Sequence, residues 1–236
     1  MVPSTNHPAF HPFTNKQSPV QPRQQLTVFD NLIPSLSNPL FSVDVREDNS
    51  GTFSFGSIPS TSYIGKLTAL PNFPGNGYWE FLSPFYAINN TLKYNLGSSP
   101  AIADTGTSLL IVDETVASDF YNQIYLPGPD PSSPAGQLQA GYDDDWQAYL
   151  FPCQANVPSF SVSVGDKMVT VPPEFVNYAE IDDTGTWCYG GIQDNGGNGL
   201  QIYGDVFFRS TFVVFENSTG SAGGFLGLRF GDKAMY

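Results

Sequence analysis

The chain has 236 residues, which is long enough for one large domain or two small ones with a sizeable core. Nine Lys and Arg residues against 22 Asp and Glu give a formal net charge of −13 and a sequence pI near 4.2. This acidity excludes nucleic acid and anionic membranes as partners because both bind basic patches. Only 13% of the residues are charged while 14% are aromatic, and 23 glycines and 20 prolines supply many turns, so the composition predicts a folded, all-β protein.

The first 24 residues are rich in Pro, Gln, Asn and Ser and show no sustained periodicity, and we expect a disordered tail there. Directly afterwards, Leu26, Phe29 and Ile33 fall on one face of a helix. Pro34 is expected to end or kink this helix because proline has no backbone N–H to donate.

Alternation of apolar and polar residues predicts strands along most of the remaining chain. Phe41, Val43 and Val45 alternate with polar residues, as do Phe53 and Phe55, and Gly and Asn supply the turns between them. Similar short β patterns occur at residues 66–70, 78–81, 160–164, 168–171, 200–203, 212–215 and 225–230.

A second helix is predicted near the middle of the chain. Asp113-Glu114-Thr115 supplies an acidic first turn, and Val116, Phe120 and Ile124 form an apolar stripe at i, i+4 and i+8.

The segment that follows this helix carries turn and charge signals. Residues 126–141 contain four prolines, and we expect a surface loop. Asp143-Asp144-Asp145 lacks the spaced ligands and the glycine of a calcium loop, so a solvated loop is favoured over a cation site.

Histidine and cysteine are too scarce for most catalytic centres. His7 and His11 both lie in the first dozen residues, so the body of the chain offers no Ser-His or Cys-His pair and no His-based zinc site. Cys153 and Cys188 are 35 residues apart, which suits neither a redox motif nor a metal cluster, and on the residues alone a disulfide and two free thiols both stay open. No cofactor or metal is expected, and the chemistry that remains is that of carboxylates.

The most informative segment is 101–111, in which an apolar strand enters Asp104-Thr105-Gly106-Thr107 and a second apolar strand leaves it. Gly106 permits a tight turn and brings a backbone N–H near the carboxylate, and the two threonines can hydrogen-bond around it. The alternative is an aspartate that merely caps a hairpin turn. A second Asp-Thr-Gly at residues 183–185 lacks the apolar flanks, so we interpret it as a turn beside a cysteine.

Signals for cellular location conflict. The sequons Asn89-Asn90-Thr91 and Asn217-Ser218-Thr219 favour a secreted protein. The first residues contain no basic segment followed by an apolar one, so no signal peptide is visible. No apolar run approaches the 18 residues of a membrane span.

Several motifs occur in an order that is similar to one known family. They are Ile-Ala-Asp-Thr-Gly-Thr-Ser-Leu-Leu at 102–110, Pro-Ser-Phe-Ser-Val at 158–162, Cys-Tyr-Gly-Gly-Ile-Gln at 188–193 and Ile-Tyr-Gly-Asp-Val-Phe at 202–207. With them the chain resembles the C-terminal lobe of pepsin-family aspartic proteases of the fungal aspergillopepsin and penicillopepsin type. The resemblance implies an all-β lobe of a bilobal fold, with two short helices, over residues 25–236. Residues 1–24 would then be a tail or a remnant of the interlobe segment.

The resemblance also implies roles for individual residues. Asp104 corresponds to the second catalytic aspartate, supported by a loop of Thr105, Gly106 and Thr107 and by Gly204 on a neighbouring strand. Cys153 and Cys188 fall where the disulfide of this lobe lies in the family. Relatives are secreted and act at low pH, which fits the acidic composition.

The family mechanism needs two aspartates, one from each lobe, and a flap tyrosine over the cleft. No candidate for the first aspartate or for the flap precedes residue 25. Three hypotheses follow: one half of an aspartic endopeptidase, a catalytically inactive remnant that binds peptides or a partner, and a homodimer in which two copies of Asp104 meet. The partners expected are a peptide or protein substrate and a complementary N-terminal lobe.

Overall fold

Strands form most of the regular structure of the chain. The computed structural model describes residues 26–48, 50–72, 77–97, 100–130, 133–219 and 226–234, so the predicted tail over residues 1–24 lies outside the described residues. The strands are β1 (Leu40–Val45), β2 (Gly51–Phe55), β3 (Tyr63–Pro71), β4 (Glu80–Leu82), β5 (Phe85–Ile88), β6 (Thr91–Tyr94), β7 (Pro100–Ala103), β8 (Leu110–Val112), β9 (Tyr125–Leu126), β10 (Leu138–Gln139), β11 (Gly141–Asp143), β12 (Ala148–Pro152), β13 (Phe160–Val164), β14 (Lys167–Val171), β15 (Asn177–Glu180), β16 (Trp187–Gly190), β17 (Ile192–Asp194), β18 (Gln201–Tyr203), β19 (Thr211–Asn217) and β20 (Leu226–Lys233).

Four short helices lie among these strands in the described residues: α1 (Val28–Leu32), α2 (Glu114–Tyr121), α3 (Pro173–Val176) and α4 (Asp205–Phe208). The two predicted helices are α1 and α2. Asp113 forms the N-cap of α2, where its carboxylate accepts the backbone N–H of Thr115. The helices α3 and α4 were not predicted, because a single turn is too short to show helical periodicity.

A five-stranded antiparallel sheet, in the order β2-β1-β19-β20-β3, forms one side of the core. Phe41 of β1 lies opposite Phe215 of β19, and their rings stack with centroids 4.5 Å apart. Phe29 of α1 packs edge-on against Phe41 at 4.8 Å, so the first predicted helix is held to the sheet by its buried aromatic residue.

Two four-stranded antiparallel sheets follow, in the orders β14-β13-β5-β6 and β11-β12-β16-β15. In the second sheet, a disulfide joins Cys153, just beyond β12, to Cys188 in β16. The bond implied by the family resemblance is therefore present. Closing a loop with this separation is expected to contribute very roughly 3–4 kcal/mol to stability in the chain-entropy model.

The segment predicted as one continuous surface loop, residues 126–141, contains regular structure at both ends. Leu126 of β9 pairs with Leu138 of β10, so a short two-stranded sheet closes the Pro-rich part into a hairpin. Asp143, which ends β11, accepts the backbone N–H groups of Asp145 and Trp146. The acidic run thus forms an ordinary aspartate-stabilised turn.

A mixed five-stranded sheet, in the order β17-β8-β18-β7-β4, carries the candidate site. Strand β18 lies between β7 and β8, parallel to β7 and antiparallel to β8. No helix in the described part of the chain is both long and apolar enough to cross a bilayer.

Candidate active site

The sheet places Asp104 where one central strand ends. Strand β7 stops at Ala103 and β8 begins at Leu110, so Asp104 opens the loop between them. The backbone N–H of Asp104 donates to the carbonyl oxygen of Tyr203 at 3.1 Å, which extends the parallel pairing of β7 and β18 by one residue. The aspartate backbone is therefore fixed by a strand almost one hundred residues away in sequence.

Two donors from its own loop orient the Asp104 carboxylate. Oδ1 accepts the backbone N–H of Gly106 at 2.9 Å, and Oδ2 accepts the hydroxyl of Thr107 at 2.8 Å. Asp104 is only 2% exposed and Thr107 is fully buried, so the hydrogen bond between their side chains is shielded from water, whereas the bond from the exposed Gly106 is only partly buried. Thr105 makes no hydrogen bond to the carboxylate within the described residues, so the expectation that both threonines orient Asp104 holds only for Thr107.

Gly204 lets the second strand approach this loop closely. Its N–H donates to Leu109 O at 3.1 Å, and the next N–H, from Asp205, donates to Thr107 O at 2.8 Å. A Cβ atom on Gly204 would lie 2.2 Å from Thr107 O and 2.5 Å from Leu109 O, both of them backbone atoms. Only glycine fits between these carbonyl groups, because a backbone clash of this size cannot be relieved by a side-chain rotation.

Asp205 is a half-buried carboxyl group beside the loop, and sequence reasoning gave it no role. Burial raises the pKa of Asp205, the Arg209 guanidinium opposes that shift, and the negative charge of Asp104 adds to it. The two carboxyl groups are thus within electrostatic reach of each other. In the sequence, the only indication of a role for Asp205 is that it directly follows Gly204 in the segment Ile-Tyr-Gly-Asp-Val-Phe at 202–207.

A buried hydroxyl chain anchors the strand next to Asp104. The Tyr203 hydroxyl hydrogen-bonds to Ser83 Oγ at 2.6 Å, and Ser83 Oγ lies 3.4 Å from Ser163 Oγ, which accepts the Phe85 N–H at 3.0 Å. Burial raises the pKa of Tyr203, so this phenol stays protonated and available for the hydrogen bond. This series of hydroxyl groups connects the mixed sheet to the sheet that contains β5 and β13.

The second Asp-Thr-Gly motif forms a turn, in agreement with its interpretation from sequence. Asp183 is exposed, and the carboxylate of the preceding Asp182 accepts the backbone N–H groups of Thr184, Thr186 and Trp187. Hydrogen bonds from Thr184, followed by those from the Thr186 and Trp187 N–H groups, lower the pKa of Asp182 to about 2. This turn leads directly to Cys188.

Within the described residues, the arrangement around Asp104 supplies one carboxylate that is oriented by hydrogen bonds. Among the described residues, no second carboxylate hydrogen-bonds to Asp104, and no group of three or more His, Cys, Asp and Glu side chains is placed to hold a metal ion. Such a carboxylate can activate water as one member of a pair, with the second member supplied from outside the described residues.

Comparisons with known proteins show the family to which the chain is similar. The family model "Eukaryotic aspartyl protease" matches residues 14–223. The chain is 38% identical to Aspergillopepsin-1 of Aspergillus fumigatus over 198 residues, covering 84% of the chain and 47% of that protein. It is 39% identical to Penicillopepsin-1 of Penicillium janthinellum over 203 residues, covering 84% of the chain and 56% of that protein. The chain thus spans about half the length of the curated relatives it matches.

Proposed function

The chain belongs to the eukaryotic aspartyl protease family, and from that premise we propose that it supplies the second-aspartate half of an aspartic endopeptidase. Asp104 is the catalytic residue of this half, and its substrate is a peptide or protein. A complementary N-terminal lobe contributes the other aspartate and the flap. Neither a nucleic acid nor a membrane takes part.

The observation that carries this proposal is the geometry of the Asp104 carboxylate. Its two oxygens are held by the Gly106 N–H and by the Thr107 hydroxyl, and the side chains of Asp104 and Thr107 are both buried although Gly106 between them is exposed. An aspartate that only capped a hairpin would need neither burial nor pairing of its strand with β18, which comes from elsewhere in the chain. Preorganisation of this kind is what a reacting carboxylate requires, because its orientation must not change during the reaction.

In the proposed reaction, two facing aspartates share one proton. Like charges about 3 Å apart cannot both ionise, so one carboxyl group stays protonated while the other acts as a base. The ionised group takes a proton from a water molecule, which attacks the peptide carbonyl, and the protonated group donates to the developing oxyanion. No covalent intermediate with the enzyme forms.

A second candidate function is peptide binding without catalysis. It is favoured by the absence, among the described residues, of a second carboxylate in hydrogen-bond contact with Asp104. The same half-cleft would then bind an extended peptide or a partner lobe. We also propose secretion, which is supported by the Cys153–Cys188 disulfide because such bonds persist in oxidising compartments.

The test mixes the chain with the separately produced N-terminal lobe of Penicillopepsin-1 and measures cleavage of an unfolded protein substrate at acid pH. The complex is expected to cleave in a pepstatin-sensitive way, and Asp104→Asn is expected to lower the rate by at least about a thousandfold, since members of a catalytic unit act together. Asp183→Asn is the matched control, because it alters the aspartate of the other Asp-Thr-Gly motif, which is exposed.

Two outcomes would contradict the proposal. A complex that forms but shows no cleavage would favour the peptide-binding function. Pepstatin-sensitive cleavage by the chain alone, lost in Asp104→Asn, would show that two copies of Asp104 meet in a homodimer.

A further inference from the structure

We propose that Asn89 carries an N-linked glycan whose first sugar lies in a groove beside it. The proposal depends on entry into the secretory pathway but is independent of the catalytic role of Asp104. Of the two sequons in the sequence, the structure favours this one because of its turn, its hydrogen bonds and its surroundings.

Asn89 lies at an exposed turn at the edge of a sheet. Asn89 and Asn90 connect β5 to β6, and both have positive φ angles, 47° and 64°. Strand β6 is the outermost strand of its sheet, and both asparagines are exposed. Within the part of the chain that the structure describes, a bulky modification at this turn therefore meets no further strand beyond β6.

The hydrogen bonds that the structure shows for Asn89 do not involve the side-chain atom that glycosylation modifies. The Asn89 amide oxygen accepts the backbone N–H of Ser159 at 3.2 Å, and the Asn89 N–H donates to Ser159 O at 3.0 Å. No hydrogen bond within the described residues uses the side-chain nitrogen Nδ2. Glycosylation modifies Nδ2 and retains the oxygen as an acceptor, so the contact with Ser159 survives the modification.

A groove with a lining suited to a sugar begins at Asn89. Its volume is about 370 Å³, and its walls include Tyr125, Pro127, Gln123 and Asn156. Tyr125 is 48% exposed and presents a flat apolar ring, against which the C–H face of a pyranose can pack. The exposed amides of Gln123 and Asn156 can donate to and accept from the hydroxyl and acetamido groups of the sugar.

The other sequon has a different environment. Asn217 is half-buried as the last residue of β19, where it pairs with Leu226 of β20. Its N–H donates to Pro39 O, and its amide oxygen accepts the Thr219 hydroxyl. Asn217 thus lies within a paired strand, whereas Asn89 lies in the turn that follows β5.

The modification is a group transfer from a polyprenyl-diphosphate-linked oligosaccharide. A bond forms between Asn89 Nδ2 and the anomeric carbon of the first N-acetylglucosamine, and the bond from that carbon to the diphosphate oxygen breaks. The polyprenyl diphosphate leaves with the electron pair, and the amide nitrogen loses one proton to a base of the host's transferase. No oxidant or reductant is needed.

The experiment secretes the full chain from a eukaryotic host behind an added signal peptide, followed by intact mass and peptide mapping. The Asn89 peptide is expected to carry the glycan, and Asn89→Gln and Thr91→Ala should each remove it. Thr91→Ala is the sharper variant because it keeps the Asn89 amide. Asn217→Gln should leave the Asn89 glycan in place. An unmodified Asn89 peptide in secreted protein whose Cys153–Cys188 bond has formed would overturn the proposal, because that bond reports passage through the oxidising compartment.

The groove is tested by thermal unfolding. Glycosylated protein is expected to have a Tm about 2–4 °C above that of the Thr91→Ala variant, the shift expected for one modest contact in a protein of this size. Tyr125→Ala should shrink this difference, measured as a double-mutant cycle. An unchanged difference would overturn the placement of the sugar on Tyr125. Cleavage by the complex with an N-terminal lobe reports on the proposed function separately.

Discussion

At the scale of single residues, hydrogen bonds distinguish side chains that look equivalent in the sequence. Thr105 and Thr107 flank Gly106 symmetrically, yet only Thr107 donates to the Asp104 carboxylate. Asp182 and Asp183 are adjacent, yet Asp182 accepts three backbone N–H groups while Asp183 is exposed. The direction in which each side chain points decides its role, and neighbouring residues in a turn point differently.

Replacing Thr107 by Val removes the hydroxyl that holds Asp104 Oδ2 and keeps the shape of the side chain. We expect Thr107→Val to lower kcat of the two-lobe complex by about tenfold or more, and the free energy of unfolding by about 1–3 kcal/mol, because a buried charged acceptor loses its donor. Thr105→Val is the control and should change both quantities little. Kinetics and urea unfolding of the two variants check this, and equal effects would contradict it.

The low pKa of Asp182 predicts a pH dependence of stability. The pKa of about 2 in the folded chain is below the ordinary value of 3.8, so the ionised carboxylate stabilises the fold. This contribution is fully present above about pH 4 and is lost as the pH falls through about 2. Asp182→Asn should therefore lower Tm at pH 5, and its difference from the wild type should shrink between pH 4 and pH 2. A difference that stays constant across this range, or an equal effect of Asp183→Asn, would refute the argument.

At the scale of elements, the site depends on one strand lying between two others. Strand β18 pairs with β7 in parallel and with β8 in antiparallel orientation, so the strand before the Asp104 loop and the strand after it are both held by β18. The N–H groups of Gly204, Asp205 and Val206 then donate to carbonyl oxygens of residues 107–109. Another element therefore satisfies the carbonyl oxygens of the loop, in addition to the hydrogen bonds that the loop makes within itself.

Gly204→Ala tests whether the close approach of residue 204 to the Asp104 loop is needed for stability. The added Cβ would meet two carbonyl oxygens at 2.2 and 2.5 Å, so the strand must move away from the loop. We expect a loss of about 2–4 kcal/mol in the free energy of unfolding, typical of strain in a packed interior. Gly141→Ala is the control, since its Cβ would meet nothing within 4 Å. Guanidinium unfolding of both variants is the measurement, and equal stabilities would contradict the role assigned to Gly204.

At the scale of the whole molecule, charge and surface follow from composition. The formal charge of −13 makes the folded chain repel itself at neutral pH. Exposed apolar residues lie on both edges of the large antiparallel sheet, Phe53 and Phe55 on β2 and Ile64 on β3. Like charge keeps such molecules apart, but it also lowers the stability of the compact state.

Salt is expected to stabilise the chain at neutral pH. Raising the ionic strength to 0.15 M shortens the Debye length to about 8 Å and screens the repulsion between carboxylates. Tm at pH 7 should therefore rise by a few degrees on adding sodium chloride. The rise should vanish near the sequence pI of about 4.2, where the net charge is small. Calorimetry at the two pH values checks this, and a fall of Tm with salt at pH 7 would show that attractive ion pairs dominate instead.

Part of the fold could be predicted from the sequence, namely the two longest helices and about half of the strands, and so could the turn that contains Asp104. Apolar alternation marks the strands, the stripe from Val116 to Ile124 marks α2, and the apolar flanks single out Asp104 from the other Asp-Thr-Gly. These features are local, because burial of a strand or helix face is recorded in the spacing of its own residues.

Only the tertiary structure decided which groups from elsewhere in the chain lie beside that aspartate. Three features join residues about one hundred positions apart. They are the pairing of β18 with β7, the fit of Gly204 between two carbonyl groups, and the electrostatic interaction of Asp205 with Asp104. Local spacing carries no record of such contacts, since they arise when separate strands enter one sheet. The sequence by itself therefore determined that a carboxylate would lie in a tight turn between two apolar strands. The packing of distant strands determined how the backbone of that loop is held and which residues from elsewhere in the chain lie beside the carboxylate.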